Sequence, residues 1–401
     1  MQPADRLARR RSPLRSSAVR DLLADAHRRG MISLAGGLPA ADLFDSGAFG
    51  DLAADLLANS PQEALQYGLT AGQPRLQAAV RTLVKARGIV EPPAEPLITT
   101  GSQQAIDLLA RAFIEPGDVV VMERPSYLAA LQVFSLVDAE VLGVPTDEHG
   151  MCLPLPQSAA LARAKLVYTV TNFANPSGVT MSRERRLALL RWAVANRVFV
   201  IEDDPYGELR FSGQPVPALV TLAAEVPGAT DWCGYVSTLS KILAPGLRVG
   251  FALLPGWVRE RVENIKQAMD LHTSTLCQAL AARYLETGRL AGFLDRARAL
   301  YGERCEALSA ALRDELGPRI RFNRPEGGMF LWAELEPGID TGRLLPRARD
   351  LGVIFVPGSA FFADGGPRNA LRLSFSSADP AQLREAVRRL RRAVDAGGLT
   401  P

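Results

Sequence analysis

One stretch of the chain combines an isolated lysine with an arginine seven residues later. Lys241 and Arg248 lie in Ser237-Thr-Leu-Ser-Lys-Ile-Leu-Ala-Pro-Gly-Leu-Arg-Val-Gly-Phe251, among hydroxyl and apolar side chains. Such surroundings remove hydration from an ammonium group and favour the neutral amine, which is the form that attacks a carbonyl. The chemistry indicated is a Schiff base between Lys241 and pyridoxal phosphate, with Arg248 holding the phosphate. An ordinary surface lysine near a turn explains this stretch, taken alone, equally well.

Polar residues also follow several predicted buried strands, where open α/β sheets bind their ligands. Ser102 and Gln103 follow the strand Leu97–Thr100 and open a helix. The free N–H groups of a helix N-terminus suit a phosphate, although an ordinary serine N-cap would look the same. Tyr127 follows the next strand, and it either stacks on a planar cofactor or packs in the core.

Further polar residues follow later strands. Asn175 either forms a turn or donates to a ring oxygen. Asp203 ends a buried strand, where a carboxylate is costly unless it is paired. A protonated pyridine nitrogen would pair it and act as an electron sink, and Tyr206 could reach the ring hydroxyl; a metal-binding or solvated aspartate pair is the alternative. Arg372 lies in the otherwise apolar Leu371–Phe375. Its planar guanidinium group can bind a substrate carboxylate with two hydrogen bonds, or it forms a structural ion pair.

The composition is that of a soluble globular protein of two or three domains. The 401 residues are 47% hydrophobic and 22% charged with a net charge of +3, so no nucleic-acid partner is indicated. No apolar run is long enough to span a membrane. The first twenty residues carry six arginines and one acidic residue. This basic arm indicates a solvated segment leading into a helix, with nucleic-acid binding or organelle targeting as alternatives.

Cysteine and histidine usage limits the chemistry. The four cysteines are far apart and form no CxxC pair, which argues against a disulfide framework or a structural zinc site and fits the reducing cytoplasm. Three histidines are too few to favour a histidine metal site or a Ser-His-Asp triad. Catalysis is therefore expected from Lys, Arg, Tyr, Asp or an organic cofactor, with no metal.

The elements that must position these residues alternate between strands and helices. Strands are predicted at 97–100, 118–122, 140–144, 166–170, 198–202, 232–237 and 249–254. Helices are predicted at 16–29, 46–58, 75–87, 103–114, 128–136 and 182–195. Strands that are apolar throughout indicate a mostly parallel, mixed sheet covered on both faces.

The remainder of the chain predicts a smaller α+β unit. A long helical segment covers 257–315. Strands follow at 319–323, 327–332, 353–356 and 371–375, with helices at 341–351 and 380–395. The fold class is α/β, with an N-terminal arm and helix at 1–45, a large domain at 46–290 and a small α+β domain at 291–401.

The chain resembles a known family over residues 15–395. Four motifs resemble fold-type I, class I/II aminotransferases of the aspartate aminotransferase superfamily: Ser237–Gly250, Asn175–Gly178, Glu202–Tyr206 and Leu371–Ser374. Four others resemble the 2-aminoadipate/kynurenine branch, which includes LysN-type enzymes and the aminotransferase half of MocR-type regulators: Ile32–Pro39, Gln66–Gln73, Thr99–Gln104 and Asp270–Thr273. The resemblance implies a large sheet of the seven-stranded type and pyridoxal 5′-phosphate as cofactor.

The resemblance also implies roles around the cofactor. Lys241 is the Schiff-base lysine and moves a proton between the substrate α-carbon and C4′. Tyr127 stacks on the ring, and Asp203 pairs with its nitrogen. Asn175 and Tyr206 hydrogen-bond the ring hydroxyl. The phosphate is held by Arg248, Ser240, Thr238, Ser102 and the backbone near Gln103. The family often has serine where this chain has Thr238, and the hydroxyl is retained.

The resemblance places the substrate as well. Arg372 grips the α-carboxylate with help from Asn175, and Tyr67 reaches the phosphate of a neighbouring subunit, which implies a homodimer. In the LysN-like branch the N-terminal helix covers the substrate, backed by Gly36-Gly37. Arg20 matches a position that receives a distal substrate carboxylate, although it could equally pair with Asp21 or Asp25.

The function that follows is transfer of an amino group from an L-amino acid to a 2-oxo acid by a ping-pong mechanism. Glutamate/2-oxoglutarate is expected as one pair, and the donor as 2-aminoadipate, an aromatic or a branched-chain amino acid. A lyase, decarboxylase or oxidase with the same cofactor, and a non-catalytic ligand-binding module, are the alternatives. A MocR-type regulator would need a winged-helix domain before residue 15, where the chain has no room for one.

Overall fold

Fourteen strands are present in the residues that the computed structural model describes, which are 22, 25–26, 28–153 and 158–396. In chain order the strands are β1 (Ile32–Ser33), β2 (Leu97–Thr99), β3 (Val119–Arg124), β4 (Glu140–Asp147), β5 (Gly150–Met151), β6 (Ala164–Thr169), β7 (Phe199–Asp203), β8 (Cys233–Thr238), β9 (Gly250–Leu253), β10 (Ile320–Phe322), β11 (Phe330–Leu335), β12 (Val353–Ile354), β13 (Val356–Pro357) and β14 (Ala370–Ser374).

The α-helices of the same described residues surround these strands. Their bounds are Ser46–Asn59, Pro61–Leu65, Pro74–Ala86, Gly101–Phe113, Leu128–Leu136, Arg183–Asn196, Leu219–Leu222, Gly256–Asp270, Thr275–Glu286, Leu290–Leu316, Thr341–Asp350 and Pro380–Ala396. In the predicted helix 16–29, Leu22, Asp25 and Ala26 are helical, and the residues before Leu22 lie outside the described part of the chain. None of the described helices is long and apolar enough to cross a membrane.

The large sheet is mixed, and most of its neighbouring strands run parallel. Its order is β2-β9-β8-β7-β6-β3-β4-β5. The pairs from β4 through β3, β6 and β7 to β8 are parallel, whereas β9, β2 and β5 pair antiparallel to their neighbours. The expected seven strands are present, and the two-residue β5 folds back onto β4 as an eighth. Because β6, β7 and β8 are parallel neighbours, their carboxyl ends meet at one edge of the sheet.

Both faces of the large sheet are buried along β3, β7 and β8, as predicted, whereas most residues of β4 are partly or fully exposed. On β3, Val120 and Met122 belong to the main hydrophobic core, whereas Val121 between them belongs to a second core on the opposite face. Alternation of side chains along a strand produces this division. Burying a valine side chain of this kind stabilises the fold by roughly 1.5–3 kcal/mol. Helices Gly101–Phe113 and Arg183–Asn196 contribute to the main and the second core, respectively.

The second sheet is small and antiparallel, in the order β10-β11-β14-β13. Its strand β14 lies between β11 and β13 and carries Arg372. The single strand predicted at 353–356 is divided at Phe355: β12 pairs in parallel with β1, and β13 pairs with β14. Residues near the N-terminus are therefore joined to the part of the fold that carries Arg372.

Candidate active site

A cavity of about 530 Å³ lies at the carboxyl ends of the parallel strands. Among the predicted site residues that the structure describes, all except Tyr67 line it. The lining includes Gly37, Ser102, Gln103, Tyr127, Asn175, Asp203, Tyr206, Thr238, Ser240, Lys241, Arg248 and Arg372. Arg20 lies outside the described residues. Its alternative partner Asp25 forms ion pairs with Arg28 at 3.1 Å and Arg349 at 3.0 Å.

Asp203 is a buried carboxylate at the end of β7. Its side chain is 1% exposed, and Oδ2 accepts a hydrogen bond of 2.6 Å from the Tyr168 hydroxyl. Oδ1 is buried and has no hydrogen-bond donor among the described residues. Burial raises the pKa of Asp203 to about 7, while the bond from Tyr168 opposes this rise. A buried, unpaired oxygen is costly, so the site is suited to a bound group that donates a hydrogen there.

Lys241 extends from a short 3-10 turn, Leu239–Lys241, that follows β8. Its Nζ donates a hydrogen bond of 2.8 Å to the carbonyl oxygen of Gly37. Burial, followed by the nearby charges of Arg372 and Arg248, lowers the pKa of Lys241 to about 8. The amine is therefore much easier to deprotonate than an ordinary lysine, as expected for a nucleophile or a general base.

Arg372 and Asn175 form a buried polar pair in the lining of the same cavity. The Nη1 group of Arg372 donates to Asn175 Oδ1 at 2.8 Å, and Nη2 donates to the carbonyl oxygen of Ala35. Nε has no acceptor among the described residues. The guanidinium carbon lies 4.1 Å from the ring centre of Phe330, and burial lowers the pKa of Arg372 to about 10. Burial raises the pKa of Tyr206, and the nearby side chain of Asn175 opposes this rise.

The N-terminus of helix Gly101–Phe113 forms another side of the cavity, together with Arg248. Gly101 has a φ of +75°, and a Cβ atom built there would lie 2.7 Å from Nη2 of Arg248. A Cβ atom on Gly250 would lie 2.6 Å from the backbone nitrogen of Ser102. Glycine at both positions therefore lets the guanidinium and β9 approach the helix start, where free N–H groups favour an anion.

Two hydroxyls next to Lys241 are ordered by the backbone. Thr238 Oγ1 and Ser240 Oγ lie 2.8 Å apart, and the backbone N–H of Ser240 donates to Thr238 Oγ1 at 3.1 Å. The Thr238 hydroxyl also donates to the carbonyl oxygen of Val249 at 3.1 Å, so threonine at this position lines the cavity with an ordered hydroxyl.

The comparisons with known proteins decide the family. The model of aminotransferase class I and II matches residues 41–390. The chain belongs to this family of aminotransferases. It is 39% identical over 385 residues to aromatic-amino-acid aminotransferase 1 of Thermococcus litoralis, which covers 94% of this chain and 91% of the relative. It is 39% identical over 384 residues to a 2-aminoadipate transaminase of Thermus thermophilus, which covers 95% of this chain and 94% of the relative.

A solved structure supports the same conclusion. The crystal structure of a Pyrococcus horikoshii kynurenine aminotransferase, in complex with PMP, matches 99% of both chains with a TM-score of 0.91 and 36% identity. The predicted family, fold class and activity are thereby confirmed: the protein is a fold-type I transaminase that uses pyridoxal phosphate. The cavity of the aminotransferase fits this cofactor, because it holds an unpaired buried oxygen on Asp203, a lysine with a lowered pKa and a glycine-lined helix start.

The aminotransferase also has buried polar residues that the sequence did not identify as part of the site. Tyr168 lies in an apolar run and was predicted only as part of a strand. Tyr235 and Arg87 form a second network, in which the Tyr235 hydroxyl donates to Asp204 Oδ2 at 2.9 Å and Arg87 donates to the Tyr235 hydroxyl at 2.8 Å. Neither apolar periodicity nor strand-end position signals such partners. A tyrosine inside a strand of otherwise aliphatic residues is the one available sign.

Proposed function

We propose that this aminotransferase transfers the amino group of 2-aminoadipate or an aromatic amino acid to 2-oxoglutarate in a ping-pong reaction. The names of the two relatives that are 39% identical support these donors. The observation that carries the proposal is that a buried arginine, Arg372, shares one cavity with Lys241 and Asp203. A carboxylate-binding group thus lies close to a reactive amine and to an acceptor for a ring nitrogen.

Two groups of cavity residues would hold the cofactor in this proposal. Asp203 Oδ1 would accept from the ring nitrogen, Asn175 and Tyr206 would bind the ring hydroxyl, and Tyr127 would stack on the ring. The phosphate would be held at the helix start by Ser102, Gln103, Thr238, Ser240 and Arg248. When bound, pyridoxal phosphate supplies a protonated pyridine ring that takes up the electron pair left by removal of an α-proton.

Lys241 has two tasks in the proposed mechanism. Its neutral amine would hold pyridoxal phosphate through the cofactor aldehyde, with release of water, and the freed Nζ would be placed to take the proton from the substrate α-carbon and to give it back to the cofactor carbon. The lowered pKa of Lys241 supports both tasks, since an amine with a pKa of about 8 is partly neutral near pH 7. The bond from Nζ to Gly37 O holds the amine at the lining of the cavity.

Arg372 binds the α-carboxylate, assisted by Asn175. We expect Arg372→Lys to lower kcat/KM for every amino donor by roughly 10- to 100-fold, because a single ammonium cannot replace a planar, two-pronged donor. Steady-state kinetics with two donors of different side chains measure the loss. Arg368→Lys is the control. Arg368 is exposed, lies just before β14, and forms an ion pair with Asp340. A loss confined to one donor would contradict a role in binding the α-carboxylate.

The distal part of the substrate is placed beside Gly37 and Arg20 in this proposal, where an acidic side chain would find a cation. A half-reaction screen tests the function. The purified protein is mixed with single amino acids while the visible absorption of the cofactor is followed. Conversion by 2-aminoadipate, aromatic amino acids or glutamate, with stoichiometric amino acid formed from 2-oxoglutarate, supports transfer. Release of free ammonia or carbon dioxide would instead favour a lyase or a decarboxylase.

The active enzyme is proposed to be a homodimer. Tyr67 is 79% exposed and does not line its own cavity, and Leu65 and Leu69 beside it are 69% and 61% exposed. Its ring contacts His272 edge to face, with 5.8 Å between ring centres. Exposed apolar side chains of this size indicate an interaction surface, and a second copy that covers it would bring Tyr67 to the phosphate of its partner.

Tyr67→Phe tests this arrangement. We expect the variant to remain dimeric and to release pyridoxal phosphate about tenfold more readily, because one hydrogen bond to a charged group is lost. Sedimentation gives the oligomeric state, and dialysis followed by absorbance gives cofactor retention. A monomeric wild-type protein, or unchanged retention in the variant, would count against the proposal.

The remaining assignments follow from the sequence. We propose an N-terminal arm and helix at 1–45, a cofactor-binding domain at 46–290 and a small domain at 291–401. All four cysteines are free thiols, which supports a reducing, cytoplasmic location.

A further inference from the structure

Tyr168 contacts the carboxylate that is proposed to pair with the cofactor ring. It lies on β6, opposite Ile201 of β7, and Asp203 follows two residues later on the same face of β7. Its side chain is fully buried, and its ring packs edge to face against Phe134 with 6.0 Å between ring centres. These contacts fix the ring, so the hydroxyl has little freedom to turn away from Asp203.

The hydroxyl of Tyr168 is the donor in this contact. Burial and the charge of Asp203 raise the pKa of Tyr168 well above its ordinary value, so the phenol keeps its proton. The bond of 2.6 Å to Oδ2 occupies one oxygen of the carboxylate and leaves Oδ1 without a donor among the described residues. The two oxygens are therefore not equivalent: the protein binds one and leaves the other for a ligand.

We propose that Tyr168 is a positioning residue for transamination, which holds Asp203 by Oδ2 so that the carboxylate stays ionised and presents Oδ1 to the ring nitrogen of the cofactor. This inference rests on the proposed role of Asp203. A hydrogen bond to the charged form of a carboxylate favours ionisation, and it opposes the burial that favours the neutral acid. Without the bond, Asp203 would compete with the ring nitrogen for the proton.

The other groups around Asp203 act on it differently from Tyr168. Asp204 raises the pKa of Asp203 through its charge, and the side chain of Asn175 acts on the hydroxyl of Tyr206. Glu123, which acts on Tyr168 from β3, is a buried acid that accepts from the backbone of Val170. Tyr127 and Lys241 line the same cavity, and Nζ of Lys241 is bonded to Gly37.

Tyr168→Phe removes the hydroxyl and keeps the ring, and Tyr235→Phe is the matched control. Tyr235 is a buried tyrosine on β8, on the other side of β7, and its hydroxyl donates to Asp204 at 2.9 Å. The carboxyl group of Asp203 is titrated in the full-length protein without cofactor, by carbon NMR of labelled aspartate, with Asp203→Asn to assign the signal. We expect Tyr168→Phe to raise the pKa of Asp203 by about one unit or more and Tyr235→Phe to leave it nearly unchanged.

The second readout is the half-reaction of the loaded enzyme with an amino donor. We expect Tyr168→Phe to slow α-proton removal about tenfold while the melting temperature falls no more than in Tyr235→Phe. An unchanged pKa of Asp203, or a raised pKa with a normal half-reaction, would overturn the proposal. The carboxyl titration needs neither cofactor nor amino acid, so a failure of the proposed function does not affect it.

A second variant covers the case in which Tyr168→Phe does not fold. Replacing Tyr168 by 3-fluorotyrosine keeps the ring and makes the hydroxyl a stronger donor. The pKa of Asp203 should then fall relative to wild type, and a rise would contradict the proposed donation.

Discussion

Lys241→Ala is expected to reduce transamination by at least about 10⁴-fold, because one substitution removes both the nucleophile and the general base. The variant should still bind pyridoxal phosphate, since the groups proposed to hold the ring and the phosphate are unchanged, but the bound cofactor should exchange freely. Amino acid formed from 2-oxoglutarate measures turnover, and absorbance after gel filtration measures retention. Lys165→Ala is the control, since Lys165 is exposed and does not line the cavity. Turnover within 100-fold of wild type would rule out Lys241 as the catalytic lysine.

Asp203→Asn is expected to slow the half-reaction by roughly 100-fold or more, because a neutral amide cannot keep the ring nitrogen protonated through charge. Cofactor binding should fall much less, since the phosphate contacts are unchanged. Stopped-flow absorbance with one amino donor measures the rate.

Asp204→Asn is the matched control for Asp203→Asn. Asp204 is the adjacent buried aspartate, but it accepts from Tyr235 and from the backbone of Gly207, away from the lysine cavity. This variant is expected to lose stability and to keep most of its half-reaction rate. A near-normal rate in Asp203→Asn, or equal losses in both variants, would show that Asp203 is not the ring partner.

Much of this site could be predicted from sequence because the groups lie at the ends of buried strands. Asp203, Asn175 and Lys241 each follow an apolar run, and parallel strands bring such positions together at one edge of a sheet. Arg372 could be predicted because it is a charged residue in an otherwise apolar strand, and a buried charge needs a hydrogen-bonding or ionic partner. For these residues, local pattern and global topology agree.

The partners of these groups could not be predicted in the same way. The bond between Tyr168 and Asp203 depends on the register of β6 against β7. The sequence does not predict this register, because strands that are apolar on both faces have no polar face that would distinguish one register from another. The bond between Lys241 and Gly37 joins residues 204 positions apart in the chain. The roles of all the site residues stay predictions. Tyr67 and Arg20 also lack a described position in the cavity, since one depends on a second subunit and the other lies outside the described residues.

The residues that hold Arg372 also connect two parts of the fold mechanically. The carbonyl of Leu34 accepts from the backbone N–H of Ser374 at 2.8 Å, and the carbonyl of Leu38 accepts from the Ser376 hydroxyl at 2.7 Å. Segment 34–38 is thus hydrogen-bonded to β14 and to Ser376, which follows it. The same segment carries the Gly37 carbonyl oxygen that accepts a hydrogen bond from Lys241. Any displacement of β14 would therefore move the backbone at Gly37 together with the guanidinium of Arg372, so the carboxylate-binding group and the cavity wall beside Lys241 would move together.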